Sequence, residues 1–312
     1  MRGRFGCIKD KFDARDYLMR AYLPAVKLPK KVDYTQKMSP IRDQGEEGTC
    51  VGFAVASGMK EYQEFLDYEK LIELSPRFVY SEAKKIDGVP GAEGTTIRAS
   101  MQVLEKTGVC QEKFWPYSPH QKDKPKVGAK ANAGKFRIIT YARILSLNEL
   151  RLSVSSIGPV VLGIEVFKGM LKTKTGIVPL PKKNETSLGG HAICCMGYDD
   201  EKRLIKFKNS WSTKWGEKGF GYLPYEYIRR YMMDAWSSVD IQDPNPLTLA
   251  NVLDYQKGAE ESCYVDPIEM ARIRSDKRLL GKLKAGHRDA KGIPVAHLFN
   301  KIRRRSEKTY KT

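Results

Sequence analysis

The sequence lacks several features that would place the chain in whole classes of proteins. No apolar run among its 312 residues approaches the length that crosses a bilayer, and residues 1–6 contain no apolar segment typical of a secretory signal. The spacing of its cysteines matches neither a zinc cluster nor a disulfide framework. These absences predict a cytoplasmic protein without a membrane span, with reduced thiols and with no metal or other cofactor. The six cysteines are Cys7, Cys50, Cys110, Cys194, Cys195 and Cys263.

Histidine is scarce as well, and this scarcity narrows the search for a catalytic base. Cys50 follows a glycine-rich turn at the start of an apolar helix, where the positive end of the helix dipole favours thiolate over thiol. Of the four histidines, His120 lies in a Pro- and Lys-rich loop, and His287 and His297 lie in a basic tail. His191 therefore remains as the predicted base for a cysteine nucleophile.

The surroundings of His191 predict a partner for it. His191 opens an apolar run to Tyr198 that reads as a strand, and a polar turn at 199–202 precedes a second strand that delivers Asn209. A hairpin of this length would return Asn209 to the side of His191. The amide oxygen of Asn209 would then accept from one ring nitrogen and leave the other for the thiol.

These segments resemble the active-site blocks of papain-family cysteine peptidases, in the family's order of Cys, His and Asn. Gln44 stands six residues before Cys50, and the other blocks are 189–192 and 208–222. The resemblance covers roughly residues 28–240 and is closest to bacterial and archaeal members with a short N-terminal leader. It implies an endopeptidase in which Cys50 attacks the peptide carbonyl. His191 would move the proton, Asn209 would orient His191, and Gln44 with the Cys50 amide would hold the oxyanion.

The resemblance also implies a cleft that binds an extended polypeptide substrate. Gly94 and Thr95 correspond to the residues that hydrogen-bond the substrate backbone, Gly190 precedes the histidine on the opposite wall, and Trp211 would shield the Asn–His hydrogen bond. One family disulfide is missing, because Glu47 stands where one of its cysteines is expected and residues 92–95 lack the other. The resemblance therefore implies a member of the family that lacks this disulfide.

Periodicity divides the catalytic region into a helical half and a strand-rich half, which predicts an α+β fold. The resemblance implies the papain-like two-lobe fold, with a helical lobe carrying Cys50 and a β-barrel-like lobe carrying His191 and Asn209. The predicted helices span 50–70, 75–85, 95–106 and 147–157, and the predicted strands span 137–144, 159–167, 191–198, 203–209 and 220–224.

Three regions are expected along the chain. Residues 1–27 form a leader or arm, which we expect to pack on the domain as an ordinary surface arm, and residues 28–243 form the catalytic domain. Residues 244–312 form a basic extension, with 14 basic against 3 acidic residues after position 270. This extension is either solvated or a contact for a polyanion or acidic partner. Two alternatives to an endopeptidase remain open: an amidase or acyl transferase with the same triad, and a non-enzymatic polyanion-binding protein.

Overall fold

The computed structural model describes residues 5–19, 27–121 and 123–240, so the basic extension and Cys263 lie outside the described residues. Within these ranges no helix combines the length and the apolar character that a bilayer crossing requires. The helices are α1 (Cys50–Phe53), α2 (Glu61–Tyr68), α3 (Pro76–Lys84), α4 (Ile97–Lys106), α5 (Ala129–Ala133), α6 (Leu147–Ser156), α7 (Lys168–Lys172) and α8 (Tyr225–Tyr231). The strands are β1 (Cys7–Ile8), β2 (Lys31–Asp33), β3 (Thr95–Thr96), β4 (Ile138–Arg143), β5 (Val160–Val166), β6 (Gly189–Asp199), β7 (Leu204–Lys208), β8 (Phe220–Pro224) and β9 (Met232–Asp240).

The helical half is built around one long helix that starts at Cys50. It runs from α1 through a π-helical stretch, Ala54–Lys60, into α2, and its first thirteen residues are buried. The next helices carry the predicted caps: Ser75 Oγ accepts from the backbone N–H of Phe78 at 3.1 Å, with Pro76 in the first turn of α3. The structure confirms the predicted helices in this half.

The strand-rich half is a seven-stranded antiparallel sheet in the order β4-β9-β5-β6-β7-β8, with β2 paired to the far end of β6. All five predicted strands are present. Strand β9 was not predicted, although it lies between β4 and β5 and is central to the sheet. The described strands form an open path, so this half is not a closed barrel.

Two apolar cores lie on either side of the sheet and define two lobes. One core joins the long helix, α3 and α4 and includes Cys50, Phe78 and Trp236. The other lies between the sheet, α6 and α8 and includes Phe207 and Trp211. Together they give an α+β, two-lobe arrangement of the kind that the resemblance implies, with Cys50 in the first core and Trp211 in the second.

Candidate active site

Cys50 lies at the contact between the long helix and strand β6. Its sulfur accepts a hydrogen bond from the backbone N–H of Ala192 at 3.4 Å, so it sits one residue from His191 along that strand. Further along the helix, Gly58 faces Cys194, and a Cβ on residue 58 would lie 2.5 Å from the Cβ of Cys194. Glycine is therefore required for the helix to approach β6 this closely.

His191 and Asn209 are joined as the predicted hairpin requires. His191 Nε2 lies 2.8 Å from Asn209 Oδ1, and the same oxygen accepts from the backbone N–H of Ser210 at 2.9 Å. Because Oδ1 accepts both bonds, the proton between the two side chains is on His191 Nε2. In a neutral ring the other nitrogen, Nδ1, therefore carries the lone pair that can accept a proton. The backbone N–H of Asn209 bonds to Gly219 O at 3.0 Å and fixes the position of the residue.

Trp211 covers this hydrogen bond. Its ring stacks on the imidazole of His191 with centroids 4.4 Å apart and planes 30° from parallel. Trp211 and Asn209 are 2% and 3% exposed, so the bond is screened from water and is electrostatically stronger than an exposed one.

Gln44 is buried beside the Asn209 segment, and two contacts fix the plane of its amide. Ser210 Oγ donates to Gln44 Oε1 at 2.6 Å, and Gln44 Nε2 donates to Glu47 O at 2.8 Å. The backbone N–H of Gln44 also bonds to Ser210 O at 2.9 Å. The loop that leads to Cys50 is thereby attached to the segment that carries Asn209, although Gln44 and Asn209 are 165 positions apart in the sequence.

Glu47 forms a buried ion pair at the position where the resemblance expects a disulfide. Arg77 of α3 donates from Nη1 and Nη2 to its two carboxylate oxygens at 2.7 and 2.5 Å, and the backbone N–H of His120 adds a bond at 2.8 Å. Burial raises the pKa of Glu47, but these bonds outweigh it and the net shift is downward. The sequence analysis did not identify Arg77 as the partner of Glu47. The one feature of the sequence that pointed to such a partner was the unexpected charge at position 47.

The N-terminal segment packs on the domain and contacts the residues that line the predicted cleft. We call residues 5–16 the strap. The backbone N–H of Thr95 donates to Gly6 O at 2.9 Å, and strand β1 pairs in parallel with β3. The ring of Phe5 packs edge-on against Trp211 at 6.2 Å.

The close approach of the strap depends on glycines in the cleft walls. A Cβ on Gly94 would lie 2.4 Å from Gly6 O, and one on Gly190 would lie 2.2 Å from Cys7 O. The strap therefore contacts all four of the residues predicted to bind substrate: Gly94, Thr95, Gly190 and Trp211.

The strap also changes the electrostatics of Cys50, whose side chain is fully buried. Burial raises the pKa of the Cys50 thiol to about 11, although hydrogen bonds from the backbone N–H groups of Ala192, Gly6 and Val51 oppose this rise. The position of Cys50 at the start of a helix favours the thiolate. With the strap in place, however, burial of the sulfur away from water has the larger effect and favours the neutral thiol. Within the strap, the N–H of Gly6 is thus a hydrogen-bond donor to the sulfur of Cys50.

The remaining described cysteines are buried and unbridged. Burial raises the pKa of Cys110 to about 12, which disfavours its reactive thiolate. Between residues 5 and 240, leaving out the two gaps, no three His, Cys, Asp or Glu side chains are grouped so as to hold a metal ion.

Comparisons with known proteins agree with this geometry. The family model described as papain family cysteine protease matches residues 28–237. An uncharacterized peptidase C1-like protein of Acanthamoeba polyphaga mimivirus is 30% identical over 275 residues, which cover 77% of this chain and 88% of that protein. Cathepsin K of Mus musculus is 27% identical over 63% of this chain and 60% of its own length.

A solved structure of a cysteine protease is also similar to this chain. Xylellain, a cysteine protease from Xylella fastidiosa, superposes with a TM-score of 0.69 and 31% identity, over 77% of this chain and 97% of xylellain. The chain spans less than two thirds of the length of relatives such as cathepsin K. Since the relatives include viral, mammalian and bacterial proteins, a special closeness to bacterial and archaeal members stays a prediction.

Proposed function

The chain belongs to the papain family of cysteine proteases, and on that premise we propose that it is an endopeptidase with Cys50 as its nucleophile. His191 is the general base and acid, Asn209 orients it, and Gln44 donates to the oxyanion. The bond between His191 and Asn209, stacked under Trp211, is the observation that carries this assignment. The sulfur of Cys50 accepts from the backbone N–H of Ala192, the residue that follows His191.

The proposed reaction begins when His191 takes the proton of the Cys50 thiol. The thiolate attacks the carbonyl carbon of the scissile bond, and the oxyanion receives hydrogen bonds from the Cys50 N–H and the Gln44 amide. His191 then gives its proton to the departing amine, and an acyl-enzyme forms. Water attacks this thioester with His191 as base, which releases the new carboxyl group and restores the thiol.

An extended polypeptide is the substrate class that the cleft supports best. The strap is itself an extended peptide, and its backbone pairs with Thr95 at the position where the resemblance places substrate backbone. A small amide would make few of these main-chain contacts. The same cleft would bind a substrate chain only after the strap has left.

The assignment is tested by replacing the nucleophile and a matched cysteine. Cys50→Ala should abolish hydrolysis of a fluorogenic peptide library and labelling by the epoxide inhibitor E-64 under reducing conditions, while the protein stays folded. Cys110→Ala, a change at a buried cysteine outside the site, should keep both. Undiminished hydrolysis by Cys50→Ala would refute the role of Cys50.

The amidase alternative can be distinguished from an endopeptidase by the products of the reaction. An endopeptidase cuts casein at internal bonds and releases fragments, whereas an amidase acts on small amides and leaves casein intact. Fragment masses from casein and release of amine from small amides, measured on the same preparation, decide between them.

A further inference from the structure

The strap is held down by two of its carboxylates, which enter a charged site on the body of the protein. We call this site the socket, and it consists of Arg98 of α4, Arg143 of β4 and Asp234 and Trp236 of β9. The strap contributes Asp10 and Asp16, which contact these residues across more than 80 positions of sequence. The socket is linked to the cleft through the strap, since Asp10 follows Cys7 by only three residues.

Asp10 is the more deeply buried of the two, at 5% exposure. Its Oδ2 accepts from the backbone N–H of Arg98 at 3.0 Å and from Trp236 Nε1 at 3.2 Å. Its own backbone N–H donates to Asp234 Oδ2 at 2.7 Å. Docking of the strap therefore places a second carboxyl group next to that of Asp234, which is 2% exposed.

The two guanidinium groups are shared among three acids. Arg98 bonds to Asp16 at 2.8 and 2.5 Å and lies 3.7 Å from Asp10, whereas Arg143 pairs with Asp234 and lies 3.3 Å from Asp16. Each guanidinium also lies 5.4 Å from the ring of Trp236. Three carboxylates against two guanidiniums leave one negative charge in excess in a site with little water.

We propose that docking of the strap takes up a proton shared by Asp10 and Asp234, so that the cleft closes in mild acid and opens as the pH rises. The proposal deepens the proposed function, since it concerns how access to that same site is regulated. It follows from the charge count and from the burial of both carboxyl groups, because an excess buried charge is costly and one proton removes it.

The ionisation of the two acids supports the same direction. Burial raises the pKa of Asp234 to about 6, and the Asp10 carboxylate adds to the rise. The hydrogen bond from the backbone N–H of Asp10 and the pairing with Arg143 oppose it. Burial also raises the pKa of Asp10, against the Arg98 N–H, the Thr96 hydroxyl and the charges of Arg98 and Arg143. The Cys7 thiol faces the same acids, and burial raises its pKa too, which leaves it neutral.

The linkage has a definite sign. When the strap leaves, Asp10 returns to water and Asp234 loses the part of its burial that the strap supplies, so both acids move toward an ordinary pKa of about 4. The docked form thus binds the proton more tightly, so its stabilisation is full below about pH 4 and is lost as the pH rises through about 6. The protonation of Asp234 by itself should make the equilibrium constant for docking about tenfold smaller at about pH 7.5 than at about pH 5.

Cys7 gives a direct readout of docking, because it belongs to the strap and is 4% exposed when the strap is docked. The experiment uses the full chain carrying Cys50→Ser, whose hydroxyl still accepts from Gly6. Its thiols react with 4,4′-dithiodipyridine, an aromatic disulfide that remains reactive in acid, and the modification of Cys7 is followed by mass spectrometry. A synthetic peptide of residues 1–16 gives the unprotected rate at each pH, and Cys110 reports whether the fold stays intact.

We expect the protection of Cys7 to fall at least about tenfold between about pH 5 and about pH 7.5, and Asp234→Asn to reduce that change below about threefold. If Asp234→Asn disrupts the fold, Cys110 becomes exposed. In that case the change in Cys7 protection with pH is measured in Asp10→Asn instead. Protection that does not depend on pH, or that depends on it equally in these variants, would overturn the proposal. The readout requires no catalysis, so a chain that hydrolyses no peptide still tests it.

Discussion

Gly6→Ala is expected to open the cleft although no catalytic or socket residue is replaced. Gly6 passes over the loop before Cys50, and a Cβ there would lie 1.8 Å from the carbonyl oxygen of Gly48, against an ordinary contact of 3.4–4 Å. The obstructing atoms are backbone, held by the hydrogen bond from Gly48 N–H to Glu93 at 2.7 Å. We therefore expect the strap, rather than the loop at Gly48, to move.

The size of the effect follows from this overlap. Forcing a methyl group into a packed contact costs about 1–3 kcal/mol, which shifts the docking equilibrium about 5- to 150-fold. Because the neighbour is backbone that cannot rotate away, we expect the upper part of this range. Gly134→Ala is the matched control, since its Cβ would lie 3.5 Å from the nearest atom, Ala131 O, in an ordinary contact.

Two assays follow the opening. Hydrolysis of a fluorogenic peptide by Gly6→Ala should exceed that by wild type, and the ratio should be larger at about pH 5 than at about pH 7.5, where we expect the wild-type strap to be docked more weakly. In the Cys50→Ser background, Cys7 should lose its protection at both pH values. Protection of Cys7 equal to that in wild type would show that the strap tolerates a side chain at position 6 and would refute the reasoning.

Two further predictions concern the loop before the nucleophile. Gln44→Ala should lower kcat by about 10²–10³-fold with little change in KM, because the amide acts on the oxyanion of the transition state; a loss confined to KM in steady-state kinetics would contradict that role. Arg77→Met should lower the free energy of unfolding by about 3 kcal/mol at neutral pH, since it strands the buried Glu47 carboxylate, and adding Glu47→Gln should restore much of the loss. Because the folded-state pKa of Glu47 is lowered, this difference should shrink in thermal unfolding as the pH falls below about 4 and Glu47 becomes protonated; a constant difference would argue against the ion pair.

Local sequence signals predicted much of the fold. The helix at Ser75 was predicted from its cap and proline, and the hairpin that joins His191 to Asn209 closes over 18 residues through alternating apolar strands and a polar turn. Strand β9 was missed because the preceding helix α8 leads into it without a turn signal, and its pairing partners β4 and β5 lie far back in the chain. The barrel-like lobe proved to be an open sheet, since closure depends on which strands meet at the edges.

The sequence by itself determined the chemistry available at the site: a thiol at a helix start, an imidazole on a strand and an amide on the next strand, because these placements follow from short-range hydrogen bonding and periodicity. Only the tertiary structure decided what covers that site. Gly6 reaches the sulfur of Cys50, Glu47 meets Arg77, and Asp10 meets Asp234 across 224 positions. Such contacts leave no period in the sequence, and their electrostatic effect depends on burial, which exists only once both lobes have packed.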